Sequence, residues 1–487
     1  MLSPSSPTNG VNPRAGTTGQ RSRRPRASST AVRSSPGGVH AARGEGRAAG
    51  DDLPLAGGPG TPAQASSSAA APLVAPWLRA QSLNVRRHAA ALRPFRRDEF
   101  GTGAAAPSEA HVQVVNQLMA TLRRELMRMT TRVAAAAAAS VAGPTTARLQ
   151  AMVAMKDRAH TWVRAIEKIW DFYLELFGQR QSKYADWLLS CDRIALDCYQ
   201  YAFLGLGKAV SVPAPPAFCY MRTGFSPATY RRGIPLKRLG RQLNPFPLIQ
   251  LPYHRLTNPW TLGAILHEVS HNLQTDIGLS GVIPRRIGKR LLGAGLPPEV
   301  AAIWVRWNRE TFADLSGLLL GGPCIVGSLL DILARSPESM TAYLPQGPHP
   351  TPILRANLSF ELLRRMGFPD EARRYQRLWT RMYPERGAGS LPPALVRSFD
   401  RVMPLVVDTI CFQPYAELGD RTLAEVLRFE RKEQQMIEEA AGRLAAGTDP
   451  GVVPARFLIG AARVALDKGY ARPGVITENF YRELTRR

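Results

Sequence analysis

The sequence contains few cysteines and no long apolar run. Its 487 residues include five cysteines, which are widely spaced and form no CxxC pair. Because their number is odd and their spacing wide, a disulfide framework is not expected, and a reducing compartment fits better. The most apolar stretch, residues 315–334, includes Pro323, Asp331 and four glycines. It therefore predicts a buried helix rather than a membrane span.

Acidic residues are scarce near the N-terminus, and lysine is absent from residues 1–100. The whole chain has 63 Lys and Arg against 38 Asp and Glu, a formal net charge of +25. Such an excess favours nucleic acid, anionic surfaces or acidic proteins as partners. The N-terminus has no compact apolar segment, so a secretory signal is not expected, although its Arg-rich and Ser-rich composition is also that of organelle transit peptides. We expect a bacterial cytoplasmic location, with import into an organelle as the alternative.

Composition and periodicity divide the chain into four regions. They are a disordered Arg/Ser/Pro/Gly-rich tail (1–107), a helical domain (108–208), a core that mixes short strands with helices (209–368) and a C-terminal helical region (369–487). Within the tail, residues 75–100 have scattered apolar positions that allow a short docking helix. Ser108 is a plausible N-cap for the first long helix. The expected fold class is mainly α with a small β-sheet, of the α+β kind.

The segment FPLIQLPYH, residues 246–254, predicts a short strand between two prolines. Because proline cannot donate to a strand ladder, Pro247 and Pro252 favour a position at the edge of the sheet. Such an edge could hold an extended peptide by backbone pairing. An ordinary edge strand without that role is the alternative.

The segment LTNPWTLGAILHEVSHNLQ predicts a helix that carries the pattern HExxH. Asn258 suits the N-cap and Pro259 the first helical position. His267 and His271 are four residues apart, so both imidazoles lie on one helix face and can reach one zinc ion. Glu268 can then take a proton from a water that the metal makes acidic.

Two histidines leave a zinc site incomplete, because a catalytic zinc has three protein ligands and an open position. The sequence WNRETFADLSG supplies Glu310 and Asp314, which share one face of a later helix. Glu310 is the candidate third ligand. Asp314 could fix the tautomer of a metal-bound histidine. A third histidine at the spacing HExxHxxGxxH is absent, since Gln274 and Ile277 occupy those positions.

HExxH followed on a later helix by ExxxD resembles the gluzincin zinc metallopeptidases, and ETFADLSG resembles the ExxAD helix of the HtpX and CAAX-prenyl-endopeptidase group. GPHPTPILRANL resembles that group's HPxxxxR element, with His349, Pro350 and Arg355. The resemblance covers about residues 245–368. It implies a minimal gluzincin core, here flanked by helical domains. The sequence departs from the membrane members of that group, because it has no predicted membrane span, and it is more similar to soluble gluzincins. It also implies a Zn²⁺ cofactor, and a role for His349 or Arg355 in stabilising the oxyanion of the reaction.

Two functions are compatible with these features. The first is a zinc-dependent metalloendopeptidase that hydrolyses peptide bonds of a protein or peptide, with Glu268 as general base. The second is a metal-stabilised regulatory or interaction protein whose basic tail binds an acidic partner, either nucleic acid or an anionic surface. For His349 and Arg355 the plainer alternatives are a loop histidine and an ordinary helix cation.

Overall fold

A computed structural model of the chain describes residues 67–207, 211–224, 226–236, 239, 242–384 and 390–487. In these residues the fold is mainly helical with one small sheet, as the sequence predicts. Gln64–Arg487 form one compact unit. No described helix is both long enough and apolar enough to cross a membrane. The predicted disorder of residues 1–66 lies outside the described residues.

The N-terminal helices are α1 Ser67–Ala91, α2 Glu109–Ala142, α3 Thr146–Gly178 and α4 Ala185–Gly205. Ser108 caps α2, since its side chain accepts from the backbone N–H of His111. α1 lies inside the predicted disordered tail and overlaps the segment 75–100, for which a short docking helix was allowed. Leu78, Val85 and Leu92 recur every seven residues and are buried against α2 and α3. Burial of these side chains stabilises the packing of α1 against α2 and α3. The arginine-rich composition of the segment gave no indication of so long a helix.

The sheet contains β1 Phe218–Met221, β2 Ala228–Tyr230 and β3 Leu248–Leu251, in the order β1-β3-β2. β3 pairs in parallel with β1 and antiparallel with β2. The predicted edge position of β3 is therefore wrong, because β3 is the central strand. Pro247 and Pro252 lie just outside it, so neither removes a donor from the ladder. The carbonyl of Pro247 still accepts from Phe218 N at 2.9 Å.

The middle of the chain forms α5 Tyr253–Leu256, α6 Gly263–Asp276, α7 Val282–Gly293, α8 Pro298–Gly321 and α9 Pro323–Leu333. The apolar stretch 315–334 is mostly buried, as predicted, but it is divided between α8 and α9. The predicted cap of the HExxH helix is wrong, because Asn258 makes no side-chain cap hydrogen bond. Instead Pro259–Thr261 form a 3₁₀ turn, closed by Thr261 N donating to Asn258 O at 2.9 Å, and α6 begins at Gly263.

The remaining helices are α10 Pro337–Thr341, α11 Pro352–Arg365, α12 Pro369–Met382, α13 Pro393–Val407, α14 Leu423–Val426, α15 Arg431–Ala446, α16 Phe457–Asp467 and α17 Pro473–Arg486. One hydrophobic core extends from Leu188 in α4 to Leu484 in α17. This core crosses the predicted boundaries at 208/209 and 368/369, while a separate cluster from Leu78 to Ile166 lies before both of them. The region predicted as the metal-binding core is packed into a larger helical body.

Candidate metal centre

α6 presents two histidines to the same point in space. His267 and His271 are one helical turn apart, and their Nε2 atoms lie 3.1 Å from each other. Their side chains are 17% and 13% exposed, so both rings are held inside the protein. Two such nitrogens at this separation form half of a tetrahedral metal site.

α8 adds a carboxylate to this pair. Glu310 Oε2 lies 3.4 Å from His267 Nε2, and Glu310 Oε1 lies 3.6 Å from His271 Nε2. A tetrahedral ion with bonds of about 2.0–2.1 Å separates its ligand atoms by about 3.3 Å, which agrees with these distances. Glu310 Oε2 is buried and accepts no hydrogen bond of good geometry. The donor set and this unsatisfied oxygen both fit a divalent cation with His₂Glu ligation.

The close approach of α6 and α8 makes this meeting possible. A side chain at Gly317 would place its first carbon 3.4 Å from His267 N, so α8 lies directly against the backbone of α6. Near the other end of α6, Gln274 donates to Asn308 in α8 at 3.2 Å. These contacts fix the rotation of one helix relative to the other, and thereby the direction in which Glu310 points.

Asp314 lies one helical turn beyond Glu310 and orients His267. Its Oδ1 is 2.8 Å from His267 Nδ1, and because a carboxylate only accepts, Nδ1 carries the proton and Nε2 is left for a metal. Arg355 donates to both oxygens of Asp314 at 2.7 Å. Burial raises the pKa of Asp314, but the ion pair with Arg355 outweighs it and lowers the pKa to about 2. Asp314 is therefore ionised at neutral pH.

His267, His271 and Glu310 are called the ligand set below. Their electrostatic interactions favour one positive charge shared by the two imidazole rings. Burial lowers the pKa of His267, but the neighbouring carboxylates of Asp314 and Glu310 outweigh this and raise the pKa to about 10. Burial, together with the neighbouring charge of His267, lowers the pKa of His271 to about 3. The pKa of Glu310 is held well below its usual range by His267 and His349, although burial opposes this. One cation is therefore compensated by carboxylates on both sides.

Glu268 borders a cavity that begins at the ligand set. It is 6% exposed, and burial raises its pKa to about 7, against the opposing effect of His267. The cavity has a volume of about 370 Å³ and extends from the ligands towards α9 and the segment 342–352. Asn272 links this part of α6 to the sheet, since it donates to Thr229 of β2 at 2.8 Å. A carboxyl group with a pKa near neutrality can both accept and deliver a proton.

His349 and Arg355 also border the cavity, but in different ways. His349 lies on the loop before α11, its side chain is 58% exposed, and its Nε2 is 3.1 Å from Glu310 Oε2. Arg355 is 13% exposed, and its guanidinium is engaged by Asp314. The structure thus brings six of the seven candidate residues around one cavity, and the seventh, His271, lies beside His267 and Glu310 without lining it. Their chemical roles remain predictions.

Sequence reasoning missed the apolar wall of the cavity. α9 contributes Ile325, Leu329 and Ile332, and the loop after α10 contributes Leu344. The spacing of four and three residues in α9 is a signal for one helix face. The sequence alone does not show that this face borders the HExxH helix, because that depends on the packing of α6 against α9.

Comparison with known proteins does not decide the identity of the chain. No family model matches it, and no significant match exists among curated proteins or solved structures. Among the described residues, one group of three His, Cys, Asp or Glu side chains is close enough to share a metal ion. It consists of His267, His271 and Glu310.

Proposed function

We propose that this protein is a zinc-dependent metalloendopeptidase that hydrolyses peptide bonds of a protein or peptide substrate. The observation that carries the proposal is the position of Glu310. It comes from a helix 39 positions after His271, yet both of its oxygens lie within 3.6 Å of an imidazole of the HExxH helix. Chance histidines on a structural helix would not require a distant carboxylate at ligand distance.

The residues have distinct roles in this proposal. His267, His271 and Glu310 hold the ion, which when bound supplies Lewis acidity and lowers the pKa of water. Glu268 collects the proton of the attacking water and delivers it to the leaving amine, as its pKa near 7 permits. Asp314 holds His267 in the tautomer that presents Nε2 to the ion.

The oxyanion role is assigned to His349 rather than to Arg355. Both residues belong to the segment that resembles the HPxxxxR element of the HtpX and CAAX-prenyl-endopeptidase group. The guanidinium of Arg355 already donates to Asp314, whereas His349 stands beside the ligand set with more than half of its side chain exposed. A donor at the open side of the site can meet the charge that develops on a substrate carbonyl.

The test is Glu268→Gln in the full chain, with His267→Ala as the control. We expect Glu268→Gln to keep about one zinc per chain by elemental analysis. Its hydrolysis of a degenerate peptide library, read by mass spectrometry, should fall at least about 100-fold, because a positioned proton shuttle contributes about that factor. His267→Ala should lose both zinc and hydrolysis. Cleavage by Glu268→Gln at the wild-type rate would sink the proposal.

The second candidate is a metal-stabilised interaction protein that binds an acidic partner. The net charge of +25 favours it, together with α1, which carries Arg79, Arg86 and Arg87 and no acidic residue. This function predicts binding to a polyanion that weakens steeply with salt and is unchanged by Glu268→Gln. A metallopeptidase instead loses its activity in that variant.

A further inference from the structure

Two arginines lie beside the ligand set, beyond the part of the site to which the cavity extends. Arg231 follows β2, and its Nη1 donates to Thr275 Oγ1 at 3.0 Å. Thr275 comes four residues after His271 in α6, so this guanidinium lies about one helical turn from that ligand. Arg309 is the residue before Glu310 in α8. Both cations, which we call the arginine pair, are therefore close to the ion that the ligand set would hold.

The packing of α6 against α8 brings the two guanidinium groups near each other. Gln274 in α6 donates at 3.2 Å to Asn308, the residue before Arg309. Burial lowers the pKa of Arg231, and the neighbouring charge of Arg309 lowers it further, against a smaller effect of Asp276. Charges act on each other in this way only when they are close in space. An anion bound between the two cations would relieve their repulsion.

The arginine pair forms no ion pair with a carboxylate of the described residues. Arg231 donates to a neutral hydroxyl, and Arg309 is exposed to solvent. Asp276 is directed to Tyr199, whose hydroxyl donates to it at 3.1 Å. Glu310 lies among the imidazoles of the ligand set. The positive charge at this end of the site is therefore left for a group from outside the chain.

We infer that the arginine pair binds a carboxylate side chain of the substrate, Asp or Glu, close to the scissile bond. This inference rests on the proposed peptidase function and specifies its substrate class. A carboxylate has two oxygens that can accept from two guanidinium groups, and charge-assisted hydrogen bonds are stronger than neutral ones. An amide of the same shape has one such oxygen and no charge. We expect a preference for Asp or Glu over Asn or Gln of about tenfold.

The position of the preferred residue follows from the dimensions of the site. One helical turn spans about 5.4 Å, and an extended peptide advances about 3.3 Å per residue. The acidic residue should therefore lie within about three residues of the scissile bond. The end of a peptide chain also carries a carboxylate, so a side chain and a terminal group have to be tested separately.

The first experiment compares the cleavage-site preferences of wild type and Arg309→Gln in a degenerate peptide library. Arg309 is exposed, so this substitution removes its charge and leaves the core intact. Arg377→Gln is the matched control, since Arg377 is also exposed and lies on α12, outside the cavity lining. Wild type and Arg377→Gln should share the acidic preference. Arg309→Gln should reduce it at least about threefold.

Reversal of the charge gives a result that loss of structure cannot imitate. Arg309→Glu should change the preference at the same position from Asp or Glu to Lys or Arg, because like charges repel and opposite charges attract. A wild type without an acidic preference near the scissile bond overturns the inference. So does a preference that both substitutions of Arg309 leave unchanged.

The second experiment separates the arginine pair from the proposed chemistry. Full-length Glu268→Gln is titrated with three rhodamine-labelled alanine hexapeptides, and anisotropy is measured. Two of them have blocked ends and contain a single Asp or a single Asn, and the third contains Asn and has a free C-terminus. The Asp peptide should bind about tenfold more tightly than the other two. Adding Arg309→Gln should remove most of this difference, and adding Arg377→Gln should not.

The results distinguish failure of the arginine pair from failure of the peptidase proposal. If wild type cleaves no peptide but the difference depends on Arg309, the peptidase proposal fails and the carboxylate site stands. If wild type cleaves peptides but the Asp and Asn peptides bind equally, the carboxylate site is overturned and the peptidase proposal stands. A difference that Arg309→Gln leaves unchanged, as general attraction to a chain of net charge +25 would produce, also overturns the site. Tight binding that requires the free C-terminus does so as well.

Discussion

At the scale of single residues, the carboxylate of Asp314 connects His267 of the ligand set to Arg355 in α11. Its side chain is 3% exposed, and it accepts from His267 Nδ1 and from two nitrogens of Arg355. These three donor nitrogens, from two residues, compensate the cost of burying this charge. Without Arg355, the imidazole alone would face a buried negative charge.

We therefore expect Arg355→Met to lower the free energy of unfolding by about 3–5 kcal/mol, as removal of one partner of a buried ion pair does. The measurement is urea unfolding at pH 7, followed by circular dichroism, with a chelator present so that metal binding does not contribute. The control is Arg373→Met, which breaks an ion pair with Asp370 whose side chains are 60% and 75% exposed. That variant should change stability by less than about 1 kcal/mol. Equal losses in the two variants would contradict the argument.

Local spacing predicts each pair of site residues, and the need for a third ligand leads us to expect that the two pairs meet, but the packing that brings them together could not be predicted. His267 with His271, and Glu310 with Asp314, are four apart, and this spacing alone puts each pair on one helix face. Which faces point at each other depends on how α6 and α8 pack, and thus on contacts such as the one at Gly317. The sequence has no local signal for such a long-range contact.

At the scale of elements, a buried histidine joins the first turn of α2 to the sheet. His111 Nε2 lies 3.0 Å from Pro216 O, and Nδ1 lies 2.7 Å from Ser108 Oγ. Its ring packs edge-on against Phe218 of β1 and against Phe246. Burial lowers the pKa of His111 to about 4, although the carbonyl of Pro216 opposes this. The junction of α2 and the sheet therefore requires a neutral imidazole.

This requirement predicts a pH dependence of stability. Because the folded pKa of about 4 is below the unfolded value of about 6.5, the unfolded state binds the proton first as the pH falls. The contribution of His111 is complete above pH 6.5 and decreases towards pH 4. At pH 5 the loss should be about 2 kcal/mol relative to pH 7.5. Urea unfolding at both pH values measures it.

The matched variant for this prediction is His111→Gln, which keeps polar atoms at the junction but does not titrate there. Its loss of stability between pH 7.5 and pH 5 should be smaller than that of wild type by about the same 2 kcal/mol. Parallel pH profiles of wild type and variant would show that another group is responsible.

Element types could be predicted better than element positions in the sheet. Apolar residues at helical spacing identified α2, α3 and α6, because this periodicity directly reflects one buried face. β3 was misplaced, because the prolines at 247 and 252 lie outside the strand rather than in it. The start of α6 was also misplaced, since Asn258 and Pro259 open a 3₁₀ turn and not the helix itself. Such differences of a few residues depend on tertiary packing.

At the scale of the whole molecule, the C-terminal region completes the core behind the candidate metal centre. Arg456 donates to Leu320 O at 3.0 Å and pairs with Asp197 at 3.0 Å, so it joins α8 to α4. Phe429 packs over the corner between α8 and α9, where a side-chain carbon at Gly322 would lie 2.1 Å from its ring. Gly322 has a φ of +73°, which also favours glycine there. The helices that hold the ligands are thus packed against residues far beyond position 368.

These contacts predict that residues 209–368 alone do not form a stable domain. Such a fragment would expose apolar surface of α8 and α9 that the C-terminal helices cover, and this loss exceeds the margin that keeps most proteins folded. We expect the isolated fragment to show no cooperative unfolding transition by circular dichroism and no stoichiometric zinc by elemental analysis. The full chain should show both under the same conditions. Cooperative unfolding of a fragment that holds one zinc per chain would instead establish an independent domain, and would mean that the C-terminal helices serve a purpose other than completing the core.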